Sequence, residues 1–386
     1  MRTTRIWLGG AAAALLLAAC GTGGTSDGGG GGGAAGGGGT AATNASCSSP
    51  TKVKLQLQWV AQSQFAGYYA AKDQGLWAKE CLDVTIVEGG VDIVPQTQLA
   101  TGAVDFAIAW VPKALASREQ GAKITDIGQI FQRSGTLQVS WKDSNLTSAA
   151  SLAGKKVGNW GFGNEFELFA GLQKAGVDPK SGVTLVQQQF DMSALLAKQI
   201  DAAQAMIYNE YAQVLEQKNA ATGALYQPSD LNVIDWNKDG VAMLQDAVWA
   251  NTDKLKSDTA YQDTAVKLLK GAMAGWVYCR DNFQPCVDIV LKNGPTLGAS
   301  HQAWQLARVN ELVWPSPGGI GVIDKALWDQ TVLVATSQKV VAAAPDADAY
   351  TNTYAQKAVD ALKASGVDVT GASYKAPEVT LKEGGK

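Results

Sequence analysis

Histidine is nearly missing from this chain. His301 is the only one in 386 residues, and there are five cysteines. A metal centre draws on several such ligands at close spacing; one histidine and no close cysteine pair argue against a metal site. His301 also stands in no serine or cysteine triad context, so it reads as a surface or capping residue rather than a catalytic base. Charge is scarce as well: 17% of residues are charged, with 32 basic against 35 acidic. No basic excess is available to hold a phosphate backbone, which removes the case for nucleic acid as a partner. Long apolar runs are few. Ile6 to Leu17 is the most prominent, and it falls short of the roughly 20 residues that span a membrane. Internal repeats are not evident.

What is there begins with that short run. Arg2 and Arg5 precede it, and it ends in Leu17-Ala18-Ala19-Cys20, the pattern of a signal peptide. The small residues before Cys20 resemble a bacterial lipobox, so residues 1–19 are expected to be a lipoprotein signal peptide and Cys20 the lipidated residue. An ordinary secretory signal that contains Cys20 is the alternative. Thirteen of residues 21–40 are glycine, so residues 20–46 read as a flexible tether with a reach of roughly 28 Å. The protein is thus expected outside the cytoplasm, anchored to the cell membrane through lipid. Export makes disulfides the preferred reading for Cys47, Cys81, Cys279 and Cys286. Four cysteines allow three pairings. Cys47 and Cys81 each precede a strand pattern, which suits parallel neighbours. Cys279 and Cys286 would lie about 10.5 Å apart on a continuous helix, so bridging them requires the break that Asp281-Asn282 and Pro285 supply.

From Thr51 on, strand and helix patterns alternate. Val53, Leu55, Leu57 and Trp59 recur with period two, and a helical pattern from Phe65 stops at Gly75. Strands at Val84–Val87, Val104–Trp110 and Ile124–Phe131 follow, separated by helices, one opening at Pro112. After an extended segment at Leu137–Trp141, a second series places strands at Lys156–Trp160, Val183–Gln188, Ala203–Tyr208 and Leu231–Ile234. Asp246–Ala250 reads as a second extended segment that returns the chain. The pattern implies two α/β lobes with mostly parallel sheets, joined by two crossings. The expected division is 47–139 with 247–365 as the first lobe, carrying a C-terminal helical buttress, 140–246 as the second, and 366–386 as a polar tail.

In open α/β sheets ligands bind at the carboxyl ends of strands. Those turns supply Trp59, Gln62, Gln64 and Phe65, with Tyr68 a turn of helix further on. They also supply Trp110, Arg133, Trp160, Phe162, Asn164 and Glu165, and then Tyr208 and Glu210. Together they make a ligand set rich in flat aromatic faces and amides, suited to stacking on a heterocycle and hydrogen bonding its substituents. Trp160 and Tyr208 have an equally good reading as core residues. Gly161-x-Gly163 is too short a match to the dinucleotide fingerprint to carry it. Glu165 and Glu210 lack a nucleophile or metal beside them and read as hydrogen-bond acceptors. Arg133 would bind an anion or hold a carboxylate across the hinge. The turn Val60–Gln64 is uncharged, which points to a neutral ligand.

WVAQSQFAGYYAAKDQGLW, TGAVDFAIAW, GKKVGNWGFGNEFE and IYNEYA resemble the solute-binding lipoproteins of ABC importers in the SsuA/thiamine-pyrimidine-synthase-like family. The resemblance covers roughly Lys52 to Leu327. Gln132-Arg133-Ser134-Gly135, the Trp160–Glu165 stretch and VNELVWP are most similar to the riboflavin-binding type. The resemblance implies an α/β, two-lobed periplasmic-binding-protein fold of type II: two mixed sheets with flanking helices and two hinge crossings. It further implies a monomer without cofactor or catalysis that delivers riboflavin or a related flat heterocycle to an ABC permease and its ATPase. A thiamine-precursor pyrimidine is the alternative ligand. The family's synthases imply a cysteine cluster and an active-site histidine in the first lobe, and neither is present here.

Overall fold

The structure, a computed structural model, describes residues 47–161 and 163–385. The expected signal peptide, tether, Cys20 and Phe162 lie outside the described residues. Among the described residues ten strands form two five-stranded sheets. The first sheet has the order β2-β1-β3-β10-β4, built from β1 (Thr51–Gln56), β2 (Leu82–Val87), β3 (Phe106–Trp110), β4 (Ile124–Gln129) and β10 (Asp246–Asn251). The second has the order β7-β6-β8-β5-β9, from β5 (Thr136–Trp141), β6 (Lys156–Asn159), β7 (Thr184–Gln187), β8 (Ala202–Met206) and β9 (Leu231–Asp235).

The two sheets are built alike. β1 pairs parallel with β2 and β3, and β6 pairs parallel with β7 and β8. Each then takes an antiparallel fourth strand: β10 between β3 and β4, and β5 between β8 and β9. These two strands are the segments the sequence suggested as crossings. They are extended, but they are interior strands rather than linkers. β5 belongs to the second sheet from Thr136, which is paired with Met206, and β10 belongs to the first from Asp246, paired with Trp110. The sheet-to-sheet passages are therefore 130–135 and 236–245, a few residues before the positions expected. Both faces of β3 and β10 are covered, which is why Phe-Ala-Ile-Ala-Trp and Ala-Val-Trp-Ala read as continuous apolar runs.

The passages are bonded to each other. Gly135 N–H donates to Gln245 Oε1 (2.8 Å), and Gln245 Nε2 reaches Ser134 Oγ (3.1 Å) and Thr136 Oγ1 (2.7 Å). Asn237 Nδ2 donates to the Ser134 carbonyl at 2.8 Å. Glu167 accepts from Ser134 Oγ (3.0 Å) and Met243 N–H (2.6 Å).

Helices cover both sheets. Ala66–Asp73 packs on the 23-residue helix Thr259–Asp281. That approach is close: a Cβ on Gly275 would sit 2.0 Å from the Gly67 carbonyl. The remaining C-terminal helices, among them Phe283–Asn293 and Ala299–Val313, add to the first lobe. Cys47 bridges Cys81 across the starts of β1 and β2, with Cα atoms 5.5 Å apart. Cys279 bridges Cys286 at 5.0 Å, made possible by the break at Asn282 between two helices. The polar tail is not loose where it is described. Val369 is buried, Ser316 and Ile320 donate to the Thr370 and Val369 carbonyls, and Gly384 N–H donates to the Glu216 carbonyl. Among the described residues no helix is long and apolar enough to cross a membrane.

Candidate functional site

The carboxyl ends of the parallel strands in both sheets face one another across a cavity of about 680 Å³. The first lobe contributes Gln58, Trp59, Gln62 and Gln64 after β1, the loop from Gly90 to Gln96 after β2, and Trp110 and Lys113 after β3. From the second come Trp160, Asn164 and Phe166 after β6, Phe190 after β7, and Tyr208 and Glu210 after β8. Each of these contributions follows from strand direction: a parallel sheet sends its turns to one edge, and two such edges meet.

The aromatic walls are held by their polar ends, which leaves ring faces for a ligand. Trp110 Nε1 donates to Asp246 Oδ1 at 2.7 Å, and Trp160 Nε1 to the Gln189 carbonyl at 3.2 Å. Phe190 joins the two walls. Its ring lies 5.1 Å from Trp59 of the first lobe and 5.9 Å, nearly parallel, from Trp160 of the second.

Beneath the first wall lies a chain of amides ending on a buried carboxyl. Gln305 Nε2 donates to Gln62 Oε1 (3.2 Å), Gln62 Nε2 to Gln64 Oε1 (2.7 Å), and Gln64 Nε2 to Asp246 Oδ2 (2.9 Å). Gln58 adds a donor to Asp246 at 3.4 Å and accepts from Trp110 N–H at 3.0 Å. Burial pushes the Asp246 carboxyl up to about 7, against the lowering effect of the Gln64 and Trp110 hydrogen bonds and of the nearby Lys113 charge. Glu210 accepts from Met206 N–H (2.9 Å) and Asn209 Nδ2 (2.8 Å), and burial raises it to about 6. Lys113 lies 5.0 Å from the centre of the Trp110 ring. Burial lowers its ammonium to about 8, opposed by the Glu165 and Asp246 charges.

Eight of the residues expected from the turns line the cavity: Trp59, Gln62, Gln64, Trp110, Trp160, Asn164, Tyr208 and Glu210. Others do not. Phe65 and Tyr68 are fully enclosed in the first lobe, with the Tyr68 ring edge-on to Trp276 at 6.0 Å. Tyr68 lies on the face of its helix that meets Thr259–Asp281, a partner some 190 residues away in sequence that no local pattern announces, and Phe65 caps the same helix. Arg133 points away from the cavity. It donates to the Pro315 carbonyl (3.0 Å) and to those of Glu311, Leu312 and Trp314, tying the passage to the carbonyl end of helix Ala299–Val313. Glu165 takes the Gly163 N–H at 3.0 Å and closes its own turn. His301, expected at the surface, is buried between Glu216 and Asn209. The expected charges of the site also change: Lys113, not Arg133, lines the cavity, and Asp246 lies under it. Lys113, Phe190 and the 90–96 loop follow from the same rule about strand ends, applied to the turns after β2, β3 and β7. Asp246 had no such signal, because it opens a strand rather than following one.

Two mixed α/β sheets linked by two passages, with a cavity between their carboxyl edges, define the type II periplasmic-binding-protein fold. The chain belongs to the NMT1/THI5-like family, whose model matches residues 62–283. It is similar to the riboflavin-binding protein RibY of Chloroflexus aurantiacus, with 23% identity over 308 residues, 75% of this chain and 82% of that protein. It is similar also to a formylaminopyrimidine-binding protein of Halalkalibacterium halodurans, with 24% identity over 263 residues (64% and 75%). A third relative is a 4-amino-5-hydroxymethyl-2-methylpyrimidine phosphate synthase of Legionella pneumophila, with 27% identity over 143 residues (36% and 45%). The chain spans about half the length of some of the curated relatives it matches. The periplasmic aliphatic sulphonate-binding protein SsuA of Escherichia coli shares the fold, with a TM-score of 0.56 at 16% identity, covering 88% of this chain and 96% of that one.

Proposed function

We propose that the chain is the extracytoplasmic solute-binding component of an ABC importer. It captures riboflavin or a related flat heterocycle between its lobes and delivers it to the permease and its ATPase, held at the membrane by lipid on Cys20. The observation that carries this reading is the cavity itself: aromatic faces from both lobes, with Phe190 between Trp59 and Trp160. A ligand touching both lobes favours closure about the two passages, and closure is the signal such a component offers a permease. The relative that binds riboflavin supports this ligand. The relative that binds formylaminopyrimidine supports a thiamine-precursor pyrimidine as the second reading. Titration of the purified protein with riboflavin and with that pyrimidine, followed by fluorescence and thermal shift, tests both; no response to either removes the ligand assignment. A synthase reading has less support. Among the described residues no cysteine lines the cavity, and His301 is engaged elsewhere.

A further inference from the structure

Lys113 is placed as an interior cation without a partner. Its stem runs past Gly163 of the opposite lobe, where an added Cβ would stand at ordinary contact distance, 3.6 Å from Lys113 Cγ, so the lysine lies between the two lobes. Its ammonium has no ion pair within 4.0 Å among the described residues. The carboxylates around it are already engaged. Asp246 takes donors from Gln58, Gln64 and Trp110. Glu210 takes Met206 N–H and Asn209, and Glu165 takes Gly163 N–H. Asp92, at the mouth, is exposed. Lys339 lines the same cavity, exposed and likewise without an ion pair, and can draw an anion inward. Arg133, the cation the sequence suggested, is turned away and spent on backbone carbonyls. A half-buried ammonium beside an indole face, with no ion-pair partner among the described residues, is free to take an anionic group.

Building on the proposed role as a flat-heterocycle binding protein, we propose that Lys113 is a specificity-determining residue. It selects heterocyclic ligands that bear an anionic group, a phosphate ester or carboxylate, over their neutral parents. The aromatic walls take the ring, and the start of helix Val111–Glu119 takes the anion through Lys113.

The test uses matched pairs on the purified protein: riboflavin against riboflavin 5′-phosphate, and the hydroxymethylpyrimidine against its phosphate, titrated by calorimetry. In at least one pair the phosphate should bind about tenfold tighter or more, the gain expected of a charge-assisted hydrogen bond in an enclosed site. Lys113→Met should collapse that ratio to near one and Lys113→Arg should keep most of it. Equal binding within both pairs, or tighter binding of the neutral members, overturns the inference while leaving the binding-protein reading intact. A ratio unchanged in Lys113→Met overturns Lys113 as its source. If Lys113→Met does not fold, Lys113→Gln, which removes the charge and keeps a polar end, gives the same comparison. No binding by any of the four compounds overturns the underlying reading, and this inference with it.

Discussion

Asp246 and Glu216 are both buried carboxyl groups at the junction of the lobes, and they are held in opposite ways. Asp246 sits within the first lobe among uncharged donors, Gln58, Gln64 and Trp110. Glu216 belongs to the second lobe and faces a ring from the first-lobe helices: His301 Nδ1 lies 3.0 Å from its carboxylate. The other ring nitrogen of His301 lies 2.9 Å from Asn209 Oδ1. Asn209 Nδ2 donates to Glu210, so that oxygen is an acceptor. Both ring nitrogens thus face acceptor oxygens. One helix, Ala299–Val313, serves both clusters. Its Gln302 and Gln305 hold the turn at Ser63 and Gln64, while its His301 and Trp304 reach Glu216 and the Ile207 carbonyl. Residues three apart share a helix face, so two adjacent faces grip two lobes. The difference separates two tasks. Asp246 and its amides shape the cavity floor inside one lobe and keep that shape whether the lobes part or not. His301 and Glu216 join the lobes, so any opening has to rearrange them.

That contrast can be broken most directly at Glu216. Glu216→Ala leaves His301 enclosed with one acceptor gone, and should destabilise the protein by about 3–5 kcal/mol in urea denaturation. Asp246→Asn should cost less, about 1–2 kcal/mol: it removes a charge that burial disfavours, but turns an amide nitrogen toward one of the donors now held by the two oxygens. Equal losses from the two variants would mean that the clusters are not held differently.

A second effect depends on pH. Burial lifts Asp126 to about 8, Glu167 and Asp246 to about 7, and Glu210 to about 6. Each holds its proton better folded than unfolded. Their stabilising contribution is complete below about pH 4 and is lost as pH rises through these folded values. Denaturation midpoints should therefore fall from pH 5 to pH 8, and Asp126→Asn should flatten the fall. A rise over that range would show that these carboxyls are ionised in the folded protein.

The cavity side of the contrast is sharpened by affinity. Trp160→Ala removes one stacking wall and should weaken binding of a flat ligand about tenfold or more; unchanged affinity would take Trp160 out of the site. The smallest effect concerns Lys113, whose ammonium is near 8 and faces the Glu165 and Asp246 charges. Preference for a phosphorylated ligand should decline by a few-fold between pH 7 and pH 9 as the lysine loses its proton. A preference that holds at pH 9 would place its source elsewhere.

Much of the fold was legible because strands and helices announce themselves locally. Phe-Ala-Ile-Ala-Trp, the Pro112 helix start and the Gly75 stop, where φ is +62°, each act over a few residues. The cavity was partly legible for a related reason: once strand direction is known, turns of one sheet, such as Trp59–Gln64 after β1 and the one opening at Trp110 on β3, must share an edge. Phe65, Tyr68, Arg133 and His301 were misplaced because their partners, Trp276, the carbonyls around Pro315, and Glu216, lie far along the chain.

By itself, then, the sequence determined the alternating elements, the reasons to pair Cys47 with Cys81 and Cys279 with Cys286, and the aromatic and amide character of the strand ends. These depend on spacing and on the short-range limits of the backbone. Only the tertiary structure decided which aromatics face the cavity, that Asp246 lies beneath it, and that Lys113 rather than Arg133 is its cation. A side chain's exposure and charge environment are set by which surfaces two lobes bring together, and that is a property of packing between segments distant in sequence.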